Sequence, residues 1–291
     1  MNISEYEIKF IEDKVERSYL HACNLDINCI KPGNVSIHTS HFDTTAEDFV
    51  TSYTTTSKII ASPKMSLGER IENSVIATKK SVKTNTNLGI ILLCSLFSQS
   101  LSLKKDIMLT EAIRDVVLNC KKKDLSKICN AITIANPGGL GVHEQFDVRS
   151  DIKITLFELM QISSEYDQIS RQYSLFFSDI LNFIIPNLHK SLSMISDVKL
   201  AISYTFLKIL AKYPDSHISR KYGAKIAKKT SNEAYDLIKI LDGDTRHESW
   251  GNYLMSLDEH FKMARVNPGA TADLLVVSMM IYDYYIGLAD Q

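Results

Sequence analysis

The sequence is poor in residues that would announce a class directly: one tryptophan, five cysteines and six prolines among 291 residues. The cysteines, Cys23, Cys29, Cys94, Cys120 and Cys129, are odd in number and form no C-x-x-C pair, which excludes a disulfide framework and a cysteine zinc site. They are expected to be buried, reduced thiols of a cytoplasmic protein. Charge of one sign is also missing: 33 Lys and Arg face 34 Asp and Glu, a formal net charge of -1. No bulk field therefore recruits nucleic acid or an anionic membrane, and any anion must be met by a local site. Apolar stretches such as 88–97 and 274–282 fall short of the roughly 18 to 20 residues that span a bilayer. The N-terminus carries Glu5 and Glu7 where a signal peptide needs a basic region. Neither nucleic acid nor membrane is expected as a partner. Neither G-x-x-x-x-G-K-[ST] nor G-x-G-x-x-G occurs, so a P-loop and a Rossmann fold are excluded.

What is present is helical period. Hydrophobic residues make up 45% of the chain, enough for a large core. From Ile8 through Ile11, Val15, Tyr19, Ala22 and Cys23 they return at three- and four-residue steps, the stripe of an amphipathic helix. Ser66 with Glu69 and Thr155 with Glu158 have the form of capping boxes, and Asp124 and Asp244 suit N-caps. The pattern predicts helices over 5–28, 46–61, 67–82, 88–103, 109–120, 124–135, 155–188, 197–211, 219–229, 231–242, 245–263 and 271–287. That is an all-α, single-domain bundle over 1–291 of about ten to twelve helices. Segment 88–103 is apolar almost all round, which predicts a central helix.

The helix breakers are clustered. Pro32, Pro137, Pro214 and Pro268, with Gly33, Gly89, Gly138, Gly139, Gly141 and Gly269, fall in five short polar segments: 31–35, 84–89, 136–141, 214–217 and 267–273. Punctuation accounts for any one of them. It does not account for the repeated Asn and Asp side chains, or for a lysine set beside a Pro-Gly turn. Glycine-rich turns leading into helices expose backbone amides beside the positive end of the macrodipole, a way to hold phosphates without a basic surface. Lys31, Arg220 and Lys221 can supply compensating charge, and Asp43, Asp147, Asp215 and Asp273 hard oxygens for magnesium. Together they describe a site for a nucleoside triphosphate.

Lys31-Pro32-Gly33-Asn34-Val35, His41-x-Asp43, Asn85-Thr86-x-x-Gly89, Asp215 followed by Arg220, and Asn267-Pro268-Gly269-x-x-Ala272-Asp273-Leu274 resemble the triphosphoribosyl-dephospho-CoA synthase family over about residues 15–287. The resemblance implies an all-helical transferase that takes ATP and 3'-dephospho-CoA to the 2'-(5''-triphosphoribosyl) product and adenine. In the citrate lyase branch the central motif reads Asn-Thr-His-Lys-Gly; here it is Asn85-Thr86-Asn87-Leu88-Gly89. With Pro137 to Gly141 and the trailing Asp147-Val148, this looks like a second branch, for which a related nucleotide acceptor stays open.

Displacing adenine from C1' of the ribose develops oxocarbenium-like charge, which a carboxylate stabilises more in the transition state than in the ground state. Asp43 and Asp273 are the catalytic candidates, one of them also as base for the acceptor hydroxyl. Lys31, Gly33, Asn34, Asn85, Thr86, Asn87, Gly138, Gly139, Arg171, Arg220 and Lys221 are the nucleotide and phosphate candidates, with Asp147 and Asp215 as magnesium ligands. The resemblance extends to Asp167, Arg171, Gln172 and Tyr173, although Asp167 and Arg171 at i, i+4 also fit a surface ion pair. His217 is either a proton donor to adenine or an ordinary loop histidine. His143 and Glu144 lack the second histidine of a zinc site. The run Lys121 to Lys123 suits solvated charge at a helix end, while Tyr282, Tyr284 and Tyr285 suit core or the surface of a homo-oligomer. The alternative from another class is a catalytically silent nucleotide-binding or regulatory protein of the same fold.

Overall fold

The computed structural model describes residues 5–39, 44–82, 87–101, 107–137, 154–244 and 246–288, with no β-strand among the described residues. The helices are α1 (Glu5–Asn28), α2 (Ala46–Ala61), α3 (Leu67–Ser81), α4 (Leu88–Ser100), α5 (Leu109–Leu118), α6 (Lys122–Ala135) and α7 (Leu156–Ser163). There follow α8 (Gln168–Ser174), α9 (Ile185–Met194), α10 (Val198–Lys212), α11 (Ser216–Tyr222), α12 (Ala224–Gly243), α13 (Trp250–Met263) and α14 (Gly269–Tyr285). The all-α expectation holds, with somewhat more helices than ten to twelve. None of the helices is long and apolar enough to cross a membrane among the described residues.

The capping boxes explain where several helices start. Ser66 and Glu69 exchange side-chain and backbone hydrogen bonds at α3, as do Thr155 and Glu158 at α7; a third box, Thr45 with Asp48, opens α2. Each box satisfies two amides that the helix cannot. Asp124 behaves differently from the N-cap expected of it. It lies in the first turn of α6, and its Oδ1 accepts from Ser66 Oγ and, at 3.2 Å, from the Gly68 amide. It thus serves the start of α3, a neighbour that local sequence does not show. Asp244 precedes a single 3-10 turn, His247–Ser249, and accepts from the Arg246 amide at 3.0 Å and Ser249 Oγ at 2.6 Å.

The segment expected to be one helix over 155–188 is broken. Asp167 takes the N-cap position of α8, with its Oδ1 2.7 Å from the Ser170 amide. An aspartate here offers the backbone a competing acceptor inside an otherwise continuous apolar period. After α8, Phe176 and Phe177 adopt left-handed φ values of 50° and 63° and lead into a π-helical turn, Ile180–Ile184. That conformation costs roughly 1–2 kcal/mol per residue, offset by full burial of Phe177 and by Phe176 stacking on Phe157 at 5.7 Å. The break expected near 230 falls instead at Gly223, between α11 and α12.

α4 and α14 form the centre. α4 packs on α2, α3, α5, α8 and α14; α14 packs on α1, α4, α8, α9, α10 and α11. Ile91, Leu93, Leu96 and Phe97 of α4 and Leu275, Val276, Val277 and Met279 of α14 are buried, each such side chain contributing about 1.5–3 kcal/mol relative to exposure. The two helices run in the same direction: Gly89 meets Asp273 near one end, and the Phe97 ring lies 5.6 Å from that of Tyr284 near the other. Both positive ends therefore open at the same end of the bundle.

Candidate active site

The Pro/Gly segments within the described residues interlock around the start of α14. Gly33, in the turn after α1, has φ +82°, and a β-carbon there would stand 2.6 Å from the Val266 carbonyl oxygen. Only glycine fits both the backbone and the space. Its N–H donates to Asp258 Oδ1 at 2.8 Å, while Asn34 Nδ2 donates to Asn267 Oδ1 at 2.8 Å. Asp258 Oδ2 also accepts from Thr39 Oγ1 at 2.8 Å and Lys262 Nζ at 3.0 Å. Asp258 of α13 thus ties down the Lys-Pro-Gly-Asn turn, and the Asn34–Asn267 bond joins that turn to the Asn-Pro-Gly turn.

Lys31 is buried, with its Nζ 2.5 Å from Asp26 Oδ2 at the end of α1. Burial pushes the Asp26 carboxyl up from its ordinary value while the Lys31 charge opposes the shift. Such a pair is stable only while both charges are present.

Asp215 is wholly buried and joins two helix starts. Its Oδ1 accepts the amides of His217 at 2.8 Å and Ile218 at 3.1 Å, and its Oδ2 accepts the amide and hydroxyl of Thr271, each at 2.8 Å. The positive ends of α11 and α14 share this one carboxylate. Beside it, Arg220 contacts Asp167 and reaches Ser216 Oγ at 3.5 Å. Ser216 Oγ in turn accepts the Gln168 amide at 3.1 Å. Burial, together with the charges of Arg220 and Lys221, lowers the His217 pKa against the opposing pull of Asp215 and Asp167, so the ring is neutral at pH 7.

Asp273, part-buried one turn into α14, lies against Gly89. A β-carbon on Gly89 would come 2.1 Å from Asp273 Oδ2, and one on Gly269 would come 3.2 Å from His217 Nδ1. Burial pushes the Asp273 carboxyl well above its ordinary value; Asp215, Asp26 and Asp167 push the same way, with Arg220 opposing. Asn87, just before α4, is buried, and neither its amide nitrogen nor its oxygen has a partner. Lys31, Asp26, Asn87, Asp215, His217, Arg220 and Asp273 thus meet at one end of the bundle.

The family model of ATP:dephospho-CoA triphosphoribosyl transferases matches residues 12–287. The chain belongs to this triphosphoribosyl transferase family. It is a transferase by that membership, of a family named for ATP and dephospho-CoA as its substrates. A crystal structure of an Archaeoglobus fulgidus protein, provisionally described as a triphosphoribosyl-dephospho-CoA synthase, has the same fold. Its TM-score is 0.61 at 20% identity, over 83% of this chain and 99% of that one. No curated protein matches the chain significantly.

Within this triphosphoribosyl transferase, several expected site residues sit elsewhere. Arg171 pairs with Asp179, Nε to Oδ2 at 2.7 Å, and not with Asp167; Gln172 and Tyr213 hold the same carboxylate at 3.0 and 3.2 Å. Lys221 is exposed, with its ammonium 5.4 Å from the Tyr222 ring centroid. The Gly33 amide is spent on Asp258, so it is not free for phosphate. Asp43, Asn85, Thr86, Gly138, Gly139 and Asp147, with His143 and Glu144, lie outside the described residues.

Magnesium at Asp215 does not fit. Both carboxylate oxygens already accept two protein donors each, and a hard cation needs free oxygen lone pairs. Among the described residues no group of three or more His, Cys, Asp or Glu is arranged to hold a metal ion.

Asp26 and Asp258 are the site residues that sequence reasoning missed. Asp26 carried a weak signal, five residues before Lys31 on the edge of an apolar stripe. Asp258 carried none beyond an ordinary i, i+4 pair with Lys262, because the turn residues it holds, Gly33 and Thr39, lie more than 200 positions away.

Proposed function

We propose that the enzyme transfers the 5-triphosphoribosyl group of ATP to the 2'-hydroxyl of 3'-dephospho-CoA, or of a closely related nucleotide, releasing adenine. The observation that carries this is Asp273: a carboxyl whose neutral form is favoured by burial and its acidic neighbours, set against Gly89 where a ligand can approach, with the cation Arg220 near it. In the transfer the C1'–N9 bond breaks and its electron pair leaves with adenine, while the acceptor oxygen forms a new bond to C1'. Asp273, protonated before reaction, gives its proton to the departing base. Asp43, an anion while positive charge builds on the sugar, then takes the proton of the acceptor hydroxyl; loss of that proton to solvent and uptake of one by Asp273 resets both groups for the next turnover. His217, neutral and beside Gly269, shapes the wall next to Asp273.

The triphosphate stays on the product, so it is a handle and not a leaving group. Arg220 and Lys31 anchor it, with Asn85, Thr86, Gly138 and Gly139 as further contacts, and this anchoring fixes C1' for attack. Magnesium, expected as the counter-ion of the triphosphate with Asp147 as its remaining protein candidate, takes no part in these steps.

The test is to incubate enzyme, ATP and magnesium with and without dephospho-CoA and separate the bases by chromatography. Acceptor-dependent free adenine is the expected result. Its absence with dephospho-CoA and with related nucleotides rejects the assignment and leaves a silent nucleotide-binding protein.

A further inference from the structure

Two buried side chains at this end of the bundle carry polar atoms that no protein group meets. Asn87, 3% exposed, leaves both ends of its carboxamide unpartnered; Asp26, also 3% exposed, bonds Lys31 through Oδ2 and leaves Oδ1 unpartnered. Buried polar atoms are nearly always satisfied, so each exception calls for a reason. The unpartnered hydroxyls elsewhere, such as Ser74 and Ser95, sit on helices with backbone carbonyls within a rotor's reach. Asp26, a carboxylate, cannot donate to a carbonyl, and Asn87, at the N-cap of α4, makes no side-chain cap bond.

Both flank Asp273. Asn87 stands two residues before Gly89, which the Asp273 carboxyl covers, and the Asp26 charge acts on that same carboxyl. A ligand that completes the two must accept from Asn87 Nδ2 and donate to Asn87 Oδ1 and Asp26 Oδ1. A phosphate only accepts, so it can satisfy neither Asn87 Oδ1 nor Asp26 Oδ1. An adenine edge can pair with a carboxamide but leaves the carboxylate unmet. A vicinal diol supplies two O–H donors and several lone pairs, which meets all three needs.

We propose that Asn87 and Asp26 form a subsite for the 2'- and 3'-hydroxyls of the ribose that is transferred. This rests on the transferase assignment above and says which groups hold the sugar. A hydroxyl donating to a carboxylate withdraws less electron density from the neighbouring C1', so the bond tightens as positive charge develops there. The subsite therefore acts on the transition state as well as on binding.

Calorimetry with ATP, 2'-deoxy-ATP and 3'-deoxy-ATP tests this without turnover. The wild-type protein should bind ATP about tenfold or more tightly than either deoxy analogue, about one hydrogen bond to a buried partner. In Asn87→Ala, and separately in Asp26→Asn, that preference should shrink to within about threefold, with a cooperative melt retained in at least the Asn87 variant. Equal binding of all three nucleotides by the wild-type protein, or variants that weaken all three alike, overturns the subsite and leaves the transferase assignment standing. Binding of none of the three overturns both. Loss on replacing ATP by 7-deaza-ATP, with the deoxy analogues binding like ATP, would assign Asn87 to the base and overturn the diol.

Discussion

Asp273 and Gly89 share one space: the carboxyl oxygen of the first lies 2.1 Å from where a β-carbon of the second would be. The closest atoms, Oδ2 and Cγ at 2.6 Å, swing away when Asp273 turns about χ1, and Cβ at 3.1 Å asks only for a shift of a few tenths of an ångström, so Gly89→Ala can be accommodated by turning Asp273 aside. The variant is expected to melt within a few degrees of the wild type and to lose at least about tenfold in turnover, because displacing a catalytic group by about 1 Å is costly. Thermal melts and adenine release on one preparation check both halves; normal turnover would remove Asp273 from the reaction.

Asp273→Asn keeps the shape and removes the acid. Turnover should fall by at least about 10²-fold. The stability effect has a definite sign. The folded carboxyl has a raised pKa, through burial and its acidic neighbours, against about 3.9 in the unfolded chain. Its contribution to stability is full below that unfolded value and is lost as pH rises through the folded pKa. Asparagine has no proton to lose. The variant should match the wild type near about pH 4 and melt higher at neutral pH. Melting curves over that range decide it, and a variant less stable at neutral pH contradicts the raised pKa.

Lys31→Ala and Arg220→Ala should each weaken ATP binding by about 1.5–3 kcal/mol, the range for hydrogen bonds to charged groups. They should differ in stability. Lys31→Ala strands the Asp26 charge in the interior, at a cost of about 3–5 kcal/mol, whereas Arg220, less deeply buried, leaves an Asp167 that still caps α8 through Oδ1. Calorimetry with denaturant titration separates the two roles; wild-type ATP affinity in both variants rejects the phosphate assignment.

Asp258 tests how the turns are held. Asp258→Ala removes acceptors from the Gly33 amide, Thr39 and Lys262 at once, and about 3 kcal/mol of stability should go with them. Since Asp258 acts through the Lys31 turn, its loss should raise the KM for ATP more than it lowers kcat. The reverse split would place Asp258 at the chemistry itself.

Sequence pattern carried the helices wherever local chemistry decides them. The stripe of α1, the capping boxes at Ser66 and Thr155 and the apolar α4 could be read directly, because each rests on contacts within a few residues. The convergence of the turns at Lys31, Gly89, Asp215 and Asn267 was legible from composition, since punctuation alone needs no charged side chains. The break at Asp167 was hidden because the apolar period runs through it and the left-handed Phe176 and Phe177 are held by tertiary packing. Asp124 and Arg171 were given near neighbours as partners, yet they bond across the fold or further along the chain, to Ser66 and Asp179. Long-range pairing leaves no periodic trace, which is why Asp258 emerged only in three dimensions, whereas Asp26, five residues from Lys31, was passed over as the edge of an apolar stripe.

The central claim is tested most directly by the mass of the acceptor after incubation with enzyme and ATP. Transfer predicts dephospho-CoA heavier by one ribosyl triphosphate, all three phosphates retained, with one adenine released per product. An unchanged acceptor accompanied by ADP or free phosphate would contradict the account, because the bond broken would then lie in the triphosphate and not at C1'.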